Sequence, residues 1–353
     1  MISLLISGAS SFVLAILLTP LAIRVLRDRN IGQFIQEEVE GHSHKRGTPT
    51  MGGVVIWVAV ASGYLVAHVR LFSFDSGFGI DFQPLTGQGV LALFAFLGMG
   101  VIGFADDYAK YAQKQNLGLS KRWKFLGQLA IAVVFAWFAV DIGVSTELSM
   151  TRELGLDLGP WLYGGLVLLM LTGVANAVNL TDGLDGLVAG SGALVFGAYM
   201  LIAFWQFRNP ELYQIEGALD LGVISAALVG AVLGFLWWNA APAEIFMGDA
   251  GSQALGGALA SLALLTNTQL LLIVLGGLYV METLSVILQV ASFRLFGKRI
   301  FRIAPIHHHF EFAGWPETTV IVRFWIMAGL FVAMGVGLFY GDFLVATEGG
   351  ISP

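Results

Sequence analysis

The stretch LGMGVIGFADDYAKY, residues 97–111, decides how the whole chain is read. A glycine-rich apolar run leads to two adjacent aspartates, Asp106 and Asp107, and then to Lys110. A charged side chain at the centre of a bilayer costs about 2.5–3.5 kcal/mol on insertion scales, so such a pair belongs at a helix end where lipid meets water. The rest of the chain agrees that lipid is its solvent. Of 353 residues, 57% are hydrophobic and 12% charged, against about 25% charged in soluble domains. The mean hydropathy is +0.79. Without cysteine there is neither a disulfide nor thiolate chemistry. A formal net charge of −6 speaks against nucleic acid, which is bound by clustered Lys and Arg.

Apolar segments recur at about 2–23, 52–69, 89–105, 125–140, 161–180, 186–205, 219–238, 252–266, 269–293 and 319–340. Each is near the length that crosses a bilayer, about 20 residues. None alternates like a barrel strand, and only helices or closed barrels satisfy their backbone in lipid. The chain therefore reads as all-α, a polytopic membrane protein with ten transmembrane helices in a single domain over 1–353. Its first segment has no basic stretch before it and reads as a retained span, not a cleaved signal. Glycine pairs such as Gly230 and Gly234 suit close helix packing. Fourteen of the eighteen Lys and Arg fall between spans one and two, three and four, or nine and ten. By the positive-inside rule that face is cytoplasmic, which leaves both termini periplasmic.

Four further polar motifs share that face: HKRGTPTMGG (44–53), NLTDGLDG (179–186), NAAPAEIFMGDAGS (239–252) and PIHHHFE (305–311). Asp106 and Asp107 ionise together only beside a cation, so they suit general-base work or Mg²⁺; a solvated helix end is the plain alternative. Asn179, Asp182 and Asp185 recur every three residues and would share one face if helical, able to cap a helix, bind a ribose or bind a cation. Asp249 stands between glycines just before a span. It suits an Mg²⁺ that keeps waters and phosphate oxygens, or else an N-cap. Side chains of His307, His308 and His309 diverge because they are adjacent, which disfavours a three-histidine metal site. Imidazoles that donate to phosphate or relay a proton fit better. Lys45, Arg46, Thr48 and Thr50 offer cations and hydroxyls to a phosphate, or simply anchor the membrane edge, and the Walker A spacing is absent. His42, His44 and His68 read as surface or packing residues. Glu282 and Arg323 read as members of a polar network inside the bundle.

Two classes of function compete. Transporters place ionisable residues near the midplane in broken or repeated helices. Here the carboxylates gather at one face, and the sequence shows no clear internal repeat. Asp, His, basic residues and open glycine backbone at an interface match Mg²⁺-dependent phosphoryl transfer on a partly lipidic substrate.

HKRGTPTMGG, FADDYAK, NAVNLTDGLDGL, EIFMGDAGSQALGG and PIHHHFE together resemble the phospho-N-acetylmuramoyl-pentapeptide-transferase family, over about residues 24–325. The PIHHHFE form is similar to this branch and differs from relatives that transfer N-acetylglucosamine phosphate. The resemblance implies ten transmembrane helices, a homodimer in the bacterial cytoplasmic membrane, a cytoplasmic-face site and Mg²⁺. It implies transfer of phospho-MurNAc-pentapeptide from UDP-MurNAc-pentapeptide to undecaprenyl phosphate, within membrane lipid, giving lipid I and UMP. By the same resemblance, Asp106 and Asp107 match the family's aspartate pair and Asp249 its metal-binding aspartate. Asn179, Asp182 and Asp185 match the nucleotide-side motif, and Asn239 and Phe246 the uridine side. His307, His308 and His309 match the triple-histidine loop. Lys45, Thr50, Lys110 and Lys114 match phosphate or substrate contacts.

Overall fold

A computed structural model describes residues 1–29, 31–32, 47–73, 77–113 and 118–348. Among them the chain runs through α1 (Ile2–Asp28), α2 (Gly53–Ala67), a hairpin of β1 (Val69–Ser73) and β2 (Gly77–Phe82), α3 (Gly87–Gln113) and α4 (Lys121–Asp141). A second hairpin, β3 (Glu147–Ser149) and β4 (Glu153–Asp157), leads to α5 (Gly159–Thr181), α6 (Leu187–Arg208), the short α7 (Pro210–Tyr213) and α8 (Ala218–Asn239). Then come α9 (Gly248–Leu265), α10 (Leu271–Leu275), α11 (Gly277–Phe296), α12 (Ile306–Phe312) and α13 (Glu317–Glu348).

Each apolar segment of the sequence lies largely on helix, and among the described residues eight helices are long and apolar enough to cross a membrane. The chain is a polytopic membrane protein. The helix α2 is shorter, at 15 residues. The helix α9 carries Asp, Ser, Gln and Gly in its first turns, yet its residues from Ala250 to Leu265 are all buried. Surrounded by protein, it need not be apolar enough for lipid. Helices α3 and α5 pack on its flanks, while α1 and α6 pack on α8. Lipid provides no hydrophobic force between helices, so close packing and interhelical hydrogen bonds hold them. A Cβ on Gly230 would overlap the backbone of Gly8, as the small-residue pattern predicts. Ser7 Oγ donates to the Val223 carbonyl at 2.9 Å, and Ser11 Oγ to that of Ala59 at 3.0 Å.

Two boundaries differ from expectation. The helix α3 continues to Gln113, so Asp106 and Asp107 lie inside it. Lys110, one turn on, pairs with Asp106 at 2.8 Å and keeps the turn favourable. The ninth segment is split between α10 and α11 at the Gly276–Gly277 pair, where helix propensity is poorest.

The far end of the bundle is tied by polar groups. Asp220, in the first turn of α8, accepts from Tyr64 Oη at 2.8 Å and from Thr86 N and Oγ1 at 2.9 and 2.7 Å. His68 Nε2 lies 2.8 Å from its other oxygen. The second hairpin is held to α13, where Arg152 Nε and Nη2 each reach Asp342 at 2.7 Å.

Candidate active site

The near end of the bundle is built where α3, α4, α5 and α9 meet. Asp106, Asp107 and Asp249 each offer an oxygen, and these atoms lie within 4.8 Å of one another. Lys110 Nζ stands 2.8 Å from Asp106, 3.5 Å from Asp107 and 3.3 Å from Asp249. Lys124 Nζ stands 2.9 Å from Asp249 and 4.0 Å from Asp106. Backbone amides fix the aspartate pair: Leu119 N donates to Asp106 at 2.9 Å, and Ala250 N, at the start of α9, donates to Asp107 at 3.0 Å. The last donor uses one of the free N–H groups that open a helix. Asn179 Nδ2 donates to the second Asp249 oxygen and to Ser252 Oγ, both at 2.9 Å. Asp249 therefore lies in the first helical turn of α9, not before the span as the sequence suggested.

Electrostatics favour a further cation. Three carboxylates here face two ammonium groups. Burial pushes the nearby Asp182 carboxyl up to about 8, and Asp249, Asp107 and Asp185 add repulsion. Hard carboxylate oxygens converging beside flexible lysines fit Mg²⁺, which takes few protein ligands and leaves room for phosphate oxygens. Asp106, Asp107 and Asp249 are the residues that could hold such an ion.

The nucleotide-side motif takes a shape the spacing did not predict. The helix α5 ends at Thr181, so Asn179 is helical, Asp182 caps the helix and Asp185 lies in the following turn. The three do not share a helical face. Gly186, at φ +77°, adopts a backbone that breaks the helical period before α6. Asp185 accepts from Ala243 N at 2.9 Å, and its own amide donates to Glu317 at 3.2 Å. Asn239 is buried and donates to the Ile245 carbonyl at 2.9 Å, shaping the loop that carries Phe246. That loop pairs with the segment before α2: Phe246 N donates to Pro49 O at 2.8 Å, and Gly52 N to Phe246 O at 2.9 Å. Thr50 is thereby set against Gly248, next to Asp249. Lys45 and Lys114 lie outside the described residues.

The three histidines do not all diverge as adjacency predicts: the His307 and His308 rings meet edge to face with centroids 4.2 Å apart, while His309 turns toward Phe301. His307 is fully buried, with Nδ1 3.1 Å from the equally buried Glu282. A Cβ on Gly183 would overlap His307 Nε2, so the histidine loop docks directly on the Asp182–Asp185 turn. His308 Nδ1 lies 2.6 Å from Glu311, and His309 Nδ1 accepts from Arg302 N at 3.1 Å. Arg323 is exposed and lies over the Trp315 ring at 4.1 Å, outside the polar interior where the sequence placed it. Sequence reasoning missed Lys124 and Ser252 as site residues. The signal for Lys124 was masked by its basic neighbours Lys121 and Arg122. For Ser252, a position three residues after Asp249 on the same helix was available.

A helical membrane bundle with carboxylates and lysines gathered at one end defines a membrane-embedded transferase. The model of glycosyl transferase family 4 matches residues 90–267, which contain the whole cluster. Signature 1 of phospho-N-acetylmuramoyl-pentapeptide-transferase matches residues 45–56. Curated proteins of that name are similar over nearly their full length. The one from Frankia casuarinae is 50% identical, covering 96% of this chain and 98% of its own. The one from Corynebacterium kroppenstedtii is 48% identical, with 98% and 99% covered. The one from Streptomyces griseus subsp. griseus is 45% identical, with 96% and 97% covered. The chain belongs to the phospho-N-acetylmuramoyl-pentapeptide-transferase family.

Proposed function

We propose that the chain transfers phospho-MurNAc-pentapeptide from UDP-MurNAc-pentapeptide to undecaprenyl phosphate, giving undecaprenyl-diphospho-MurNAc-pentapeptide (lipid I) and UMP. The observation that carries this reading is the cluster of Asp106, Asp107 and Asp249 with Lys110 and Lys124, set beside the family's signature segment. Most Lys and Arg lie on the same face, which supports a cytoplasmic site in the bacterial inner membrane. The sugar nucleotide then arrives from the cytoplasm, and the lipid phosphate arrives within the leaflet. The homodimer stays part of the proposal on the strength of the family resemblance.

Asp249, with Asp106 and Asp107 at hand, would hold Mg²⁺, which supplies charge neutralisation to the diphosphate and the departing UMP. Lys110 and Lys124 side chains are 32% and 20% exposed while those of Asp106 and Asp107 are 6% and 5%. The lysines are the groups a diphosphate meets first, and they can exchange a carboxylate for a phosphate oxygen. Asp107, oriented by the Ala250 amide, positions the attacking lipid phosphate and accepts its proton. Asn179 orients Asp249 from the opposite oxygen. Asp182, Asp185, Asn239 and Phe246 line the nucleotide side, with Thr50 on the phosphates, a role that the family resemblance alone extends to Lys45 and Lys114. His308 and His309 donate to phosphate, and His307 holds their loop on the Asp182–Asp185 turn.

The test is transfer of label. Purified protein is given undecaprenyl phosphate, Mg²⁺ and either labelled UDP-MurNAc-pentapeptide or labelled UDP-N-acetylglucosamine. Label entering the lipid phase from the first donor alone is expected. Label from the second donor alone would move the chain to the sister activity, and label from neither would contradict the proposal.

A further inference from the structure

At the end of the bundle remote from Asp249 lies a cavity of about 380 Å³, enclosed by the second hairpin, the segment that includes α7 and the C-terminal end of α9. Leu265 in its wall stands sixteen residues along α9 from Asp249, about 24 Å by helical rise. The cavity therefore belongs to neither substrate of the transfer reaction.

Its wall is polar and incompletely satisfied. Among the described residues, Gln206 Oε1, Tyr213 Oη and Asn267 Oδ1 find no hydrogen-bond partner. Gln206 is 1% exposed and Tyr213 8%. Leaving a buried polar atom unpaired costs about 1–3 kcal/mol, so three around one cavity call for a reason. Gln206 commits its donor end, Nε2, to the Thr266 carbonyl at 2.8 Å, which leaves Oε1 as an acceptor. Asn267 directs Nδ2 toward Glu153 at 3.5 Å, which likewise leaves Oδ1 as an acceptor. Gln214 and Asn267, at φ +53° and +50°, close the ends of α7 and α9 with left-handed backbone, and both line the cavity.

Charge selects the ligand class. Arg152, the cation in the wall, is engaged by both oxygens of Asp342. Glu153 remains as the charge without an ammonium or guanidinium partner among the described residues. The connecting segments 142–158 and 209–217 hold five acidic residues and one arginine. The cavity thus offers carbonyl and carboxylate acceptors in a negative field, which draws a cation rich in N–H donors and repels anions.

We propose that this cavity binds a primary ammonium group, carried by an ethanolamine lipid headgroup or by a free small amine. Its three N–H donors match the Glu153 carboxylate and the Gln206 and Asn267 carbonyl oxygens, which small side-chain rotations bring from the wall to the cavity surface. A quaternary ammonium has no N–H to give and is the natural discriminator.

The test uses the full chain, in detergent and in phosphatidylcholine nanodiscs, and needs no turnover. Thermal unfolding is followed while ethanolamine is titrated at constant ionic strength, with choline and glycerol as controls. Native mass spectrometry scores retention of phosphatidylethanolamine over phosphatidylcholine. A saturable rise in melting temperature with ethanolamine alone assigns a free-amine site, and preferential retention of the ethanolamine lipid assigns a headgroup site. In either case Glu153→Gln and Asn267→Gly, the latter compatible with the left-handed backbone, each weaken binding at least tenfold. An equal response to choline, an unchanged response in both variants, or neither a shift nor a lipid preference overturns the proposal.

Discussion

Lys124 Nζ stands 2.9 Å from Asp249 Oδ2, although the two residues are 125 positions apart. The same oxygen lies 3.3 Å from Lys110, and the other oxygen accepts from Asn179. Asp249 is thus the point on which α3, α4, α5 and α9 converge, and the central acid of the site.

Lys124→Ala removes a charge-assisted contact worth about 1.5–3 kcal/mol, so kcat/KM for the sugar nucleotide is expected to fall about 10–100-fold. Lys121→Ala, in the same basic run but exposed, is expected to stay within about twofold. Steady-state kinetics of both variants separate a site contact from membrane anchoring.

Asn179→Ala leaves one Asp249 oxygen without its amide donor. Loss of about 1 kcal/mol of orientation corresponds to roughly fivefold more Mg²⁺ for half-maximal turnover. Titration of Mg²⁺ in the variant and the wild type measures that shift directly.

Glu282→Ala strips the buried His307 of the carboxyl 3.1 Å from its Nδ1 and is expected to destabilise the fold by about 1–3 kcal/mol, the cost of leaving a buried polar group without a neighbour to pair with. Glu282→Gln keeps an acceptor and recovers most of this. Denaturant or thermal unfolding of the two variants gives the comparison. Equal stability of Ala, Gln and wild type would show that the pair is dispensable.

Asp220→Asn acts at the opposite end. It weakens a carboxylate that serves Tyr64, Thr86 and His68 at once, costing about 1–3 kcal/mol of stability. Turnover below the melting temperature is expected to be unchanged. A melting curve and a rate measured on the same preparation check both halves.

Much of this was legible from residues alone, because period and charge act locally. Apolar runs of span length became helices, and motifs far apart in sequence met at one end because each stood beside a span boundary. Asp106, Asp107, Lys110, Asn179 and Asp249 came together as their motifs suggested. What stayed hidden depends on helix register or on contacts between remote segments. Lys124 looked like its anchoring neighbours until α4 turned it inward onto Asp249. The partner of Glu282 could not be read from the chain, because α12 brings His307 back from 25 positions downstream. Spacing would put Asn179, Asp182 and Asp185 on one face if they were helical, whereas α5 ends at Thr181, just before Gly183. The far cavity has no motif, since its wall is drawn from segments with no common pattern.

The most direct test of the central role of Asp249 is UMP release as a function of Mg²⁺, in the wild type and in Asp249→Asn. The wild type is expected to release UMP only when both UDP-MurNAc-pentapeptide and undecaprenyl phosphate are present, to lose this with EDTA and to regain it with Mg²⁺. Asp249→Asn is expected to remain folded, with a loss of at least about a thousandfold, as befits an interaction spent on transition-state charge. Wild-type rate and Mg²⁺ dependence in Asp249→Asn would contradict the account.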